Sequence, residues 1–380
     1  MTAPQAPALR HDTGAIERLV SDLVAIDSVN PDLVPGGAGE AEIAAFAADW
    51  MGERGLDARV EEVAPGRANA IATARGSGGG RSLLLCAHMD IVGVEGMDAP
   101  FEPRIEDGRM HGRGSFDMKG GLAAVMAAAA AVAAAGLRGD VIVAAVCDEG
   151  YESIGAERVA AELKADAAIV TEPTGLDVCV AHKGFVWLDV ETAGVAAHGS
   201  RPDLGVDAIA AMGEVLVGLS GLAAQLAGSR PHPLLGTGSV HASLIEGGQE
   251  LSSYPELCLL RLERRTVPGE TLADVEVQIA AIAPGAAVRS TFERAPFEIA
   301  ADAPIVSAVH RHAIDVLGRE PATVGHAAWM DAAVLSAAGI PTVVFGPAGE
   351  GAHAVEEWVD LDSVERCAQV LEAVAREWCA

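Results

Sequence analysis

Basic residues are scarce in this chain. Its 380 residues hold 26 Lys and Arg against 54 Asp and Glu, a formal net charge of −28. Such a balance repels phosphates, so neither nucleic acid nor an anionic membrane surface is expected as a partner. Cysteine is sparse as well. Cys86, Cys147, Cys179, Cys258, Cys367 and Cys379 are scattered and form no CxxC pair. They read as buried thiols of a reducing compartment, which excludes a disulfide framework. The first residues carry no basic stretch followed by an apolar block, so no secretory signal is expected and the expected location is cytoplasmic. The most tempting apolar run, residues 121–136, is mostly alanine and falls short of the ~18 residues of a membrane span. It reads as a buried helix. The Gly-rich turn at 76–80 is not followed by Lys-Ser/Thr, so it is no nucleotide-phosphate loop. No internal repeat is evident.

What the chain does have is apolar material: half of it is hydrophobic, enough for a sizeable core and about two or three domains. The most informative stretch is Ser82-Leu-Leu-Leu-Cys-Ala-His88-Met-Asp90. The continuous apolar run reads as a buried strand of a parallel sheet. It ends on His88 and Asp90, which lie two apart and so point the same way on an extended chain. In open α/β sheets, ligands sit outside the carboxyl ends of strands. Two further strands end alike: residues 140–147 run into Asp148-Glu149, and residues 167–170 run into Thr171-Glu172. Asp117 falls where a Gly-rich loop meets the Ala-rich helix. Buried strands thus end repeatedly in carboxylates or histidine.

The rest of the chain reads in order. Residues 1–11 are Pro- and Ala-rich and are expected to be loose. Helices follow from Thr13 and over 40–55, the second with Ile43, Phe46, Ala47 and Trp50 on one side. Strands are expected at 58–63 and 69–73. After Cys179 the pattern changes to half-exposed alternation, with a strand at 180–192, a helix near 206–219, strands at 239–245 and 258–264, a helix from Pro268 to Ile282, and a strand at 287–292. This strand–helix–strand–strand–helix–strand order predicts a ferredoxin-like insertion. A returning strand at 341–345, a loop bearing His353 and a helix over 361–378 close the chain. The expected architecture is α/β, a mixed, mostly parallel sheet flanked by helices, with an inserted α+β domain. Its parts are residues 1–180, an insertion at 181–293, and residues 294–380.

His88, Asp117, Glu172 and His353 offer two nitrogens and two carboxylates with no thiolate. That set suits a catalytic Zn²⁺, Co²⁺ or Mn²⁺. Glu149 is a spare carboxylate placed to act as general base on an attacking water.

With these residues assembled, the chain resembles the zinc aminoacylase family, which includes acetylornithine deacetylase, succinyl-diaminopimelate desuccinylase and glutamate carboxypeptidase. The resemblance rests on His88-Met-Asp90, Gly114-Ser-Phe-Asp117-Met-Lys-Gly, Asp148-Glu149, Thr171-Glu-Pro-Thr174, Ala197-His198-Gly-Ser, Arg264-Arg-Thr-Val-Pro-Gly-Glu270, and Gly339-Ile-Pro-Thr-Val-Val-Phe-Gly-Pro347 before His353. It implies a zinc-peptidase-like catalytic domain and an inserted lid and dimerisation domain. It also implies a metal-dependent amidohydrolase acting on an N-acyl amino acid or small peptide. Asp117 would bridge two ions; His88 and Glu172 would complete one site, and His353 with a second glutamate the other. Asp90 would orient His88. His198 would reach a neighbouring subunit's site in a homodimer, and Arg264 or Arg265 would contact a substrate carboxylate.

The chain departs from the family's Asp-Glu-Glu pattern at one place. It reads Asp148-Glu149-Gly150-Tyr151-Glu152, so Gly150 stands where the second carboxylate belongs. One ion is therefore expected to bind tightly and a second weakly or not at all, unless Glu152 helps. The competing class is a non-catalytic binding protein that keeps the fold after losing a metal site. Retention of His88, Glu149, Glu172 and His198 weighs against it.

Overall fold

The computed structural model describes residues 13–380. The N-terminal stretch read above as loose lies outside the described residues. Two compact units divide the chain. One comprises the chain up to Val180, with Ile299–Val324 and Met330–Ala380; the other is Ala181–Glu298 with Gly325–Trp329.

In chain order the first unit begins with α1 (Thr13–Val24), α2 (Ala41–Gly52), β1 (Asp57–Ala64), β2 (Arg67–Ala74) and β3 (Leu83–His88). Short strands β4 (Arg104–Glu106) and β5 (Arg109–His111) follow, then an irregular turn at Ser115–Lys119 and α3 (Gly120–Val132). Next come β6 (Val141–Val146), α4 (Ile154–Glu162), β7 (Ala167–Val170) and β8 (Val178–His182), whose last two residues open the second unit. That unit holds β9 (Gly184–Ala193), α5 (Ala208–Ala227), β10 (Ser239–Gly247), β11 (Leu257–Thr266), α6 (Leu272–Ile282), β12 (Ala287–Arg294) and β13 (Phe297–Glu298). The chain then forms α7 (Pro304–Leu317), β14 (Thr323–His326), α8 (Ala332–Ala337), β15 (Thr342–Val344), β16 (Gly349–Glu350), β17 (Trp358–Asp360) and α9 (Leu361–Trp378).

The main sheet of the first unit runs β1-β2-β6-β3-β7-β15-β8. Its middle is parallel: β3 lies parallel to β6 and to β7, and β15 parallel to β7. Strands β2, β3, β6 and β7 are buried at every residue, which is why they read as apolar runs with no alternation. Their faces still differ. Leu83, Leu85 and Ala87 join the core cluster built with α1, α2, α3, α7 and α9, whereas α4 and α8 pack together beside β6 and β15. The result is helices on both faces of a mostly parallel sheet, as expected from the sequence. In α2 the buried stripe is Ile43, Ala44, Ala47, Ala48 and Met51. Phe46 and Trp50, expected on that side, are only partly buried, because the small alanines let the helix sit closer through the neighbouring stripe.

A second, small sheet runs β16-β17-β5-β4. It had no counterpart in the sequence reading, and the loop between β16 and β17 carries His353.

The second unit's sheet runs β10-β11-β9-β12, antiparallel throughout, the strand order of a ferredoxin-like fold. Met212, Val215, Leu219, Leu222 and Leu226 of α5 pack with Val275 and Ile279 of α6 over Val186, Leu188 and Val190. Helix α5 is longer than expected, because Leu222 and Leu226 continue its apolar stripe past Gly221. Among the described residues, two helical segments are by length and composition alone apolar enough to cross a membrane: Ser115–Val132, 72% buried, and α5, 28% buried. Helix α6 begins at Leu272, not Pro268, because Thr271 caps it in a reciprocal pair with Asp274.

Candidate metal centre

The parallel register aligns strand ends. Cys86 of β3 lies opposite Val170 of β7, and His88 opposite Val146 of β6. Glu172 and Glu149 therefore leave their strands level with His88. His88 Nε2 lies 3.1 Å from Asp117 Oδ1, 3.6 Å from Glu172 Oε1 and 3.9 Å from Glu149 Oε2. One donor atom each from His88, Asp117 and Glu172 falls within 4.8 Å of the others. His353 Nε2 lies 3.2 Å from the other oxygen of Asp117, with its side chain 65% exposed. The structure thus brings together His88, Asp117, Glu172 and His353, with Glu149 alongside.

Asp117 sits in a turn with non-helical angles, φ −118° and ψ 92°, preceded by Gly114 at φ 78° and followed by a cis peptide bond to Met118. A side chain at Gly114 would meet Ile91 Cγ2 at 2.5 Å, so glycine is required there both for its φ and for space.

His88 Nδ1 is 3.0 Å from the backbone carbonyl of Asp90 and 3.6 Å from its carboxylate. A donated Nδ1–H leaves Nε2 free to face the site. The Asp90 carboxylate instead accepts from the backbone N–H groups of Glu149 and Gly150, both at 3.0 Å, and from Asn30 Nδ2 at 2.8 Å. Asn30 Nδ2 also donates to Asp148 Oδ1 at 3.0 Å. Asp148, at φ 68°, accepts from Arg67 Nη2 at 2.7 Å, and Arg67 makes a two-pronged pair with buried Glu40. Asn30, Glu40 and Arg67 were not singled out from sequence.

The electrostatics suit a cation. Burial, then the neighbouring Asp117, Asp331 and Asp90 charges, push Glu172 up to about 8 against the opposing pull of His88. Burial and Glu172 push Glu149 well above the usual carboxylate range. Burial opposes charge on His88, but Glu172, Asp117, Glu149 and Asp90 outweigh it and raise its pKa well above normal. Burial likewise opposes charge on Asp117, yet His353 and His88 hold it below the usual range. Glu172 Oε1 is buried with no hydrogen-bond partner. A bare carboxylate oxygen in that position is costly. A divalent ion would satisfy it and offset the crowded negative charge, so the residues present fit one. Nitrogen and carboxylate oxygen from three side chains leave coordination open for water and substrate.

On the other side of Asp117, the described residues bring His353 to a second position, where Gly150 supplies no carboxylate. Gly150 is not in a left-handed conformation, and a Cβ there would meet Leu33 Cδ1 at 3.1 Å and Asp90 Oδ2 at 3.2 Å. Glu152 is exposed and donates its backbone N–H to Asp148.

In the second unit, His198 is exposed and its Nδ1 lies 2.8 Å from Ser200 Oγ. Arg264 is fully buried and engaged by Glu270 and by Gln278 Oε1 at 3.3 Å. Arg265 is partly exposed, pairs with Glu263 at 2.7 Å, and lies over the Phe185 ring.

Residues 84–377 match the profile of the peptidase family M20/M25/M40. Among curated proteins, the chain is 31% identical over 353 residues to acetylornithine deacetylase of Vibrio vulnificus (strain CMCP6), covering 87% of this chain and 90% of that one. It is 30% identical to the same-named enzyme of Proteus mirabilis (strain HI4320), covering 87% and 88%. Among solved structures, aminopeptidase PepT from Bacillus cereus superposes with TM-score 0.80 at 20% identity, covering 97% of this chain and 99% of that one. A dinuclear metal-binding M20 peptidase from Bacillus subtilis gives 0.72 at 17% identity, covering 96% and 99%.

Proposed function

Because this chain belongs to the peptidase family M20/M25/M40, hydrolases of amide bonds, we propose that it deacylates an N-acyl amino acid, with N-acetylornithine the first candidate, or cleaves a small peptide. The observation that carries the reading is Glu149 beside the convergence of His88, Asp117 and Glu172. Zinc is the ion this donor set favours, with cobalt or manganese as substitutes. When bound, the ion supplies Lewis acidity, lowering the pKa of water and polarising the amide carbonyl. Glu149 takes the proton of the attacking water and returns it to the departing nitrogen. The Asp90 carbonyl keeps His88 in the tautomer that presents Nε2, while the Asp90 carboxylate holds the backbone of Glu149.

Gly150 supports a site with one tight ion and one weak one, since Asp117 and His353 alone offer two ligands. Exposed Ile209 and Val217 on α5 and Leu244 and Ile245 on edge strand β10 support a homodimer formed through the second unit. In that dimer His198 of one subunit serves the other's site. Arg265, partly exposed, is then a better candidate for a substrate carboxylate than fully buried Arg264, and it would exchange Glu263 for the substrate. The six buried free thiols support a cytoplasmic setting, and the net charge of −28 supports neither nucleic acid nor membrane as partner.

The test is a screen of N-acyl amino acids and dipeptides with Zn²⁺, Co²⁺ or Mn²⁺, using native protein, Glu149→Ala and Gly150→Glu. Native protein should hydrolyse at least one substrate, and Glu149→Ala should be slower by about 10²–10⁴. Metal analysis should find one ion retained in native protein and two in Gly150→Glu. If both native protein and Gly150→Glu leave every substrate intact, the enzyme reading fails. A monomer in light scattering would remove His198 from it.

A further inference from the structure

Glu357 is 2% exposed and lies four residues past His353, in the loop between β16 and β17. Its carboxylate faces the Asp117 turn. Oε2 accepts from Arg113 Nη1 at 2.7 Å and from the Gly114 N–H at 2.9 Å. Oε1 accepts from the N–H groups of Phe116 and Asp117, both at 3.0 Å. Arg113 Nη2 donates back to the Ala354 carbonyl at 2.9 Å, beside His353. One carboxylate thus ties the loop carrying Asp117 to the loop carrying His353. The Asp117 turn is not regular helix, so its N–H groups need an acceptor from elsewhere. An ionised acceptor makes these hydrogen bonds about twice as strong as neutral ones. Without it, three amides and a guanidinium would be stranded in a buried site.

We infer that Glu357 is a positioning residue for the metal centre. Through the Asp117 main chain and the His353 loop it fixes the direction of both Asp117 oxygens, Oδ1 toward His88 and Oδ2 toward His353. This rests on the metal-centre reading above. It matters most at the second position, where Gly150 contributes no carboxylate. There, two ligands held at a set separation must compensate for a missing third.

The experiment strips metal from the whole protein and titrates it with Co²⁺, following the visible absorption bands. Native protein is compared with Glu357→Gln, Arg113→Lys and Asp117→Asn, each checked by circular dichroism below its unfolding temperature. Glu357→Gln keeps shape and one acceptor oxygen but turns an amide NH₂ toward backbone donors. It should weaken cobalt binding about 10–100-fold and alter the band pattern. Arg113→Lys keeps the charge but loses the forked reach to Ala354; it should weaken binding by about threefold or more, mostly for the weaker equivalent. A residue that only held the fold would lower the unfolding temperature while cobalt affinity stayed within about twofold and the bands stayed unchanged; that result overturns the inference. If Glu357→Gln does not fold, the Arg113→Lys titration decides by the same criterion. If Asp117→Asn binds cobalt as native protein does, the metal-centre reading itself falls.

Discussion

Asn30 holds two buried carboxylates together with one amide group. Its Nδ2 donates to Asp90 and to Asp148, its Oδ1 accepts from the Asp32 N–H at 3.0 Å, and it is fully buried. Asn30→Ala removes one donor from each of two buried carboxylates, leaving Asp90 to the Glu149 and Gly150 N–H groups and Asp148 to Arg67. It should cost about 2–3 kcal/mol in urea unfolding. It should also lower kcat about tenfold with metal content retained, because Asp90 then holds the Glu149 backbone less firmly. Asn30→Asp adds a third carboxylate to the pair and should be worse than alanine at neutral pH. Equal stability of all three proteins would refute this account. Nothing local in the sequence signals this role, since the two partners lie 60 and 118 residues away. His88, Glu149 and Glu172 were legible for the opposite reason: each follows an unbroken apolar strand, and a polar group at such an end has a predictable address. Asp90 was legible as a neighbour of His88 from their spacing. Spacing placed the side chain on the correct face without revealing that the backbone carbonyl is nearer the ring.

At the β1–α4 contact, Glu61 and Glu162 meet as like charges. Burial and then Glu162 raise the Glu61 pKa, with Arg59 and Arg158 opposing. A carboxyl with a folded pKa above its unfolded one costs stability as pH rises past the unfolded value; below that value both states are protonated and the cost vanishes. Glu61→Gln should therefore stabilise the protein at pH ~7 by about 0.5 kcal/mol, an amount kept small by solvent screening. The gain should disappear below pH ~4. Urea midpoints at the two pH values check it, and an equal gain at both would contradict the electrostatic cause. Elements of this size were readable from their patterns: α1 and α9 from helical periodicity, β3 and β6 from unbroken apolar runs. Strands β4, β5, β16 and β17 were not. They are two or three residues long, and distant pairing such as Trp358 with His111 defines them, not any alternation of their own. That omission also hid Glu357, whose role depends on the small sheet bringing its loop to Asp117.

At the scale of the whole molecule, the hydrophobic period changes along the chain. Near-continuous apolar strands yield to alternation where the antiparallel second unit begins, because only one face of that sheet carries helices. The division makes ion binding a regional event. The donor residues all belong to the first unit. An ion that binds the folded state alone stabilises it by about 2.7 kcal/mol at a hundred times its dissociation constant. At about 2–4 °C per kcal/mol for a unit of this size, the first unit's unfolding temperature should rise about 5–10 °C over chelator-treated protein. The shift should grow with ion concentration. Amide exchange locates the effect: with Zn²⁺, protection should increase in β3, β6, β7 and the Asp117 turn, since their opening must release the ion. The strands β9–β12 have a separate hydrophobic core and no donor in this set, so their protection should stay unchanged unless dimerisation changes as well. Protein concentration separates those cases, because metal linkage within a subunit is independent of it and linkage through a dimer is not. Unchanged exchange in β3 and β7 at saturating Zn²⁺ would mean that His88 and Glu172 do not hold the ion.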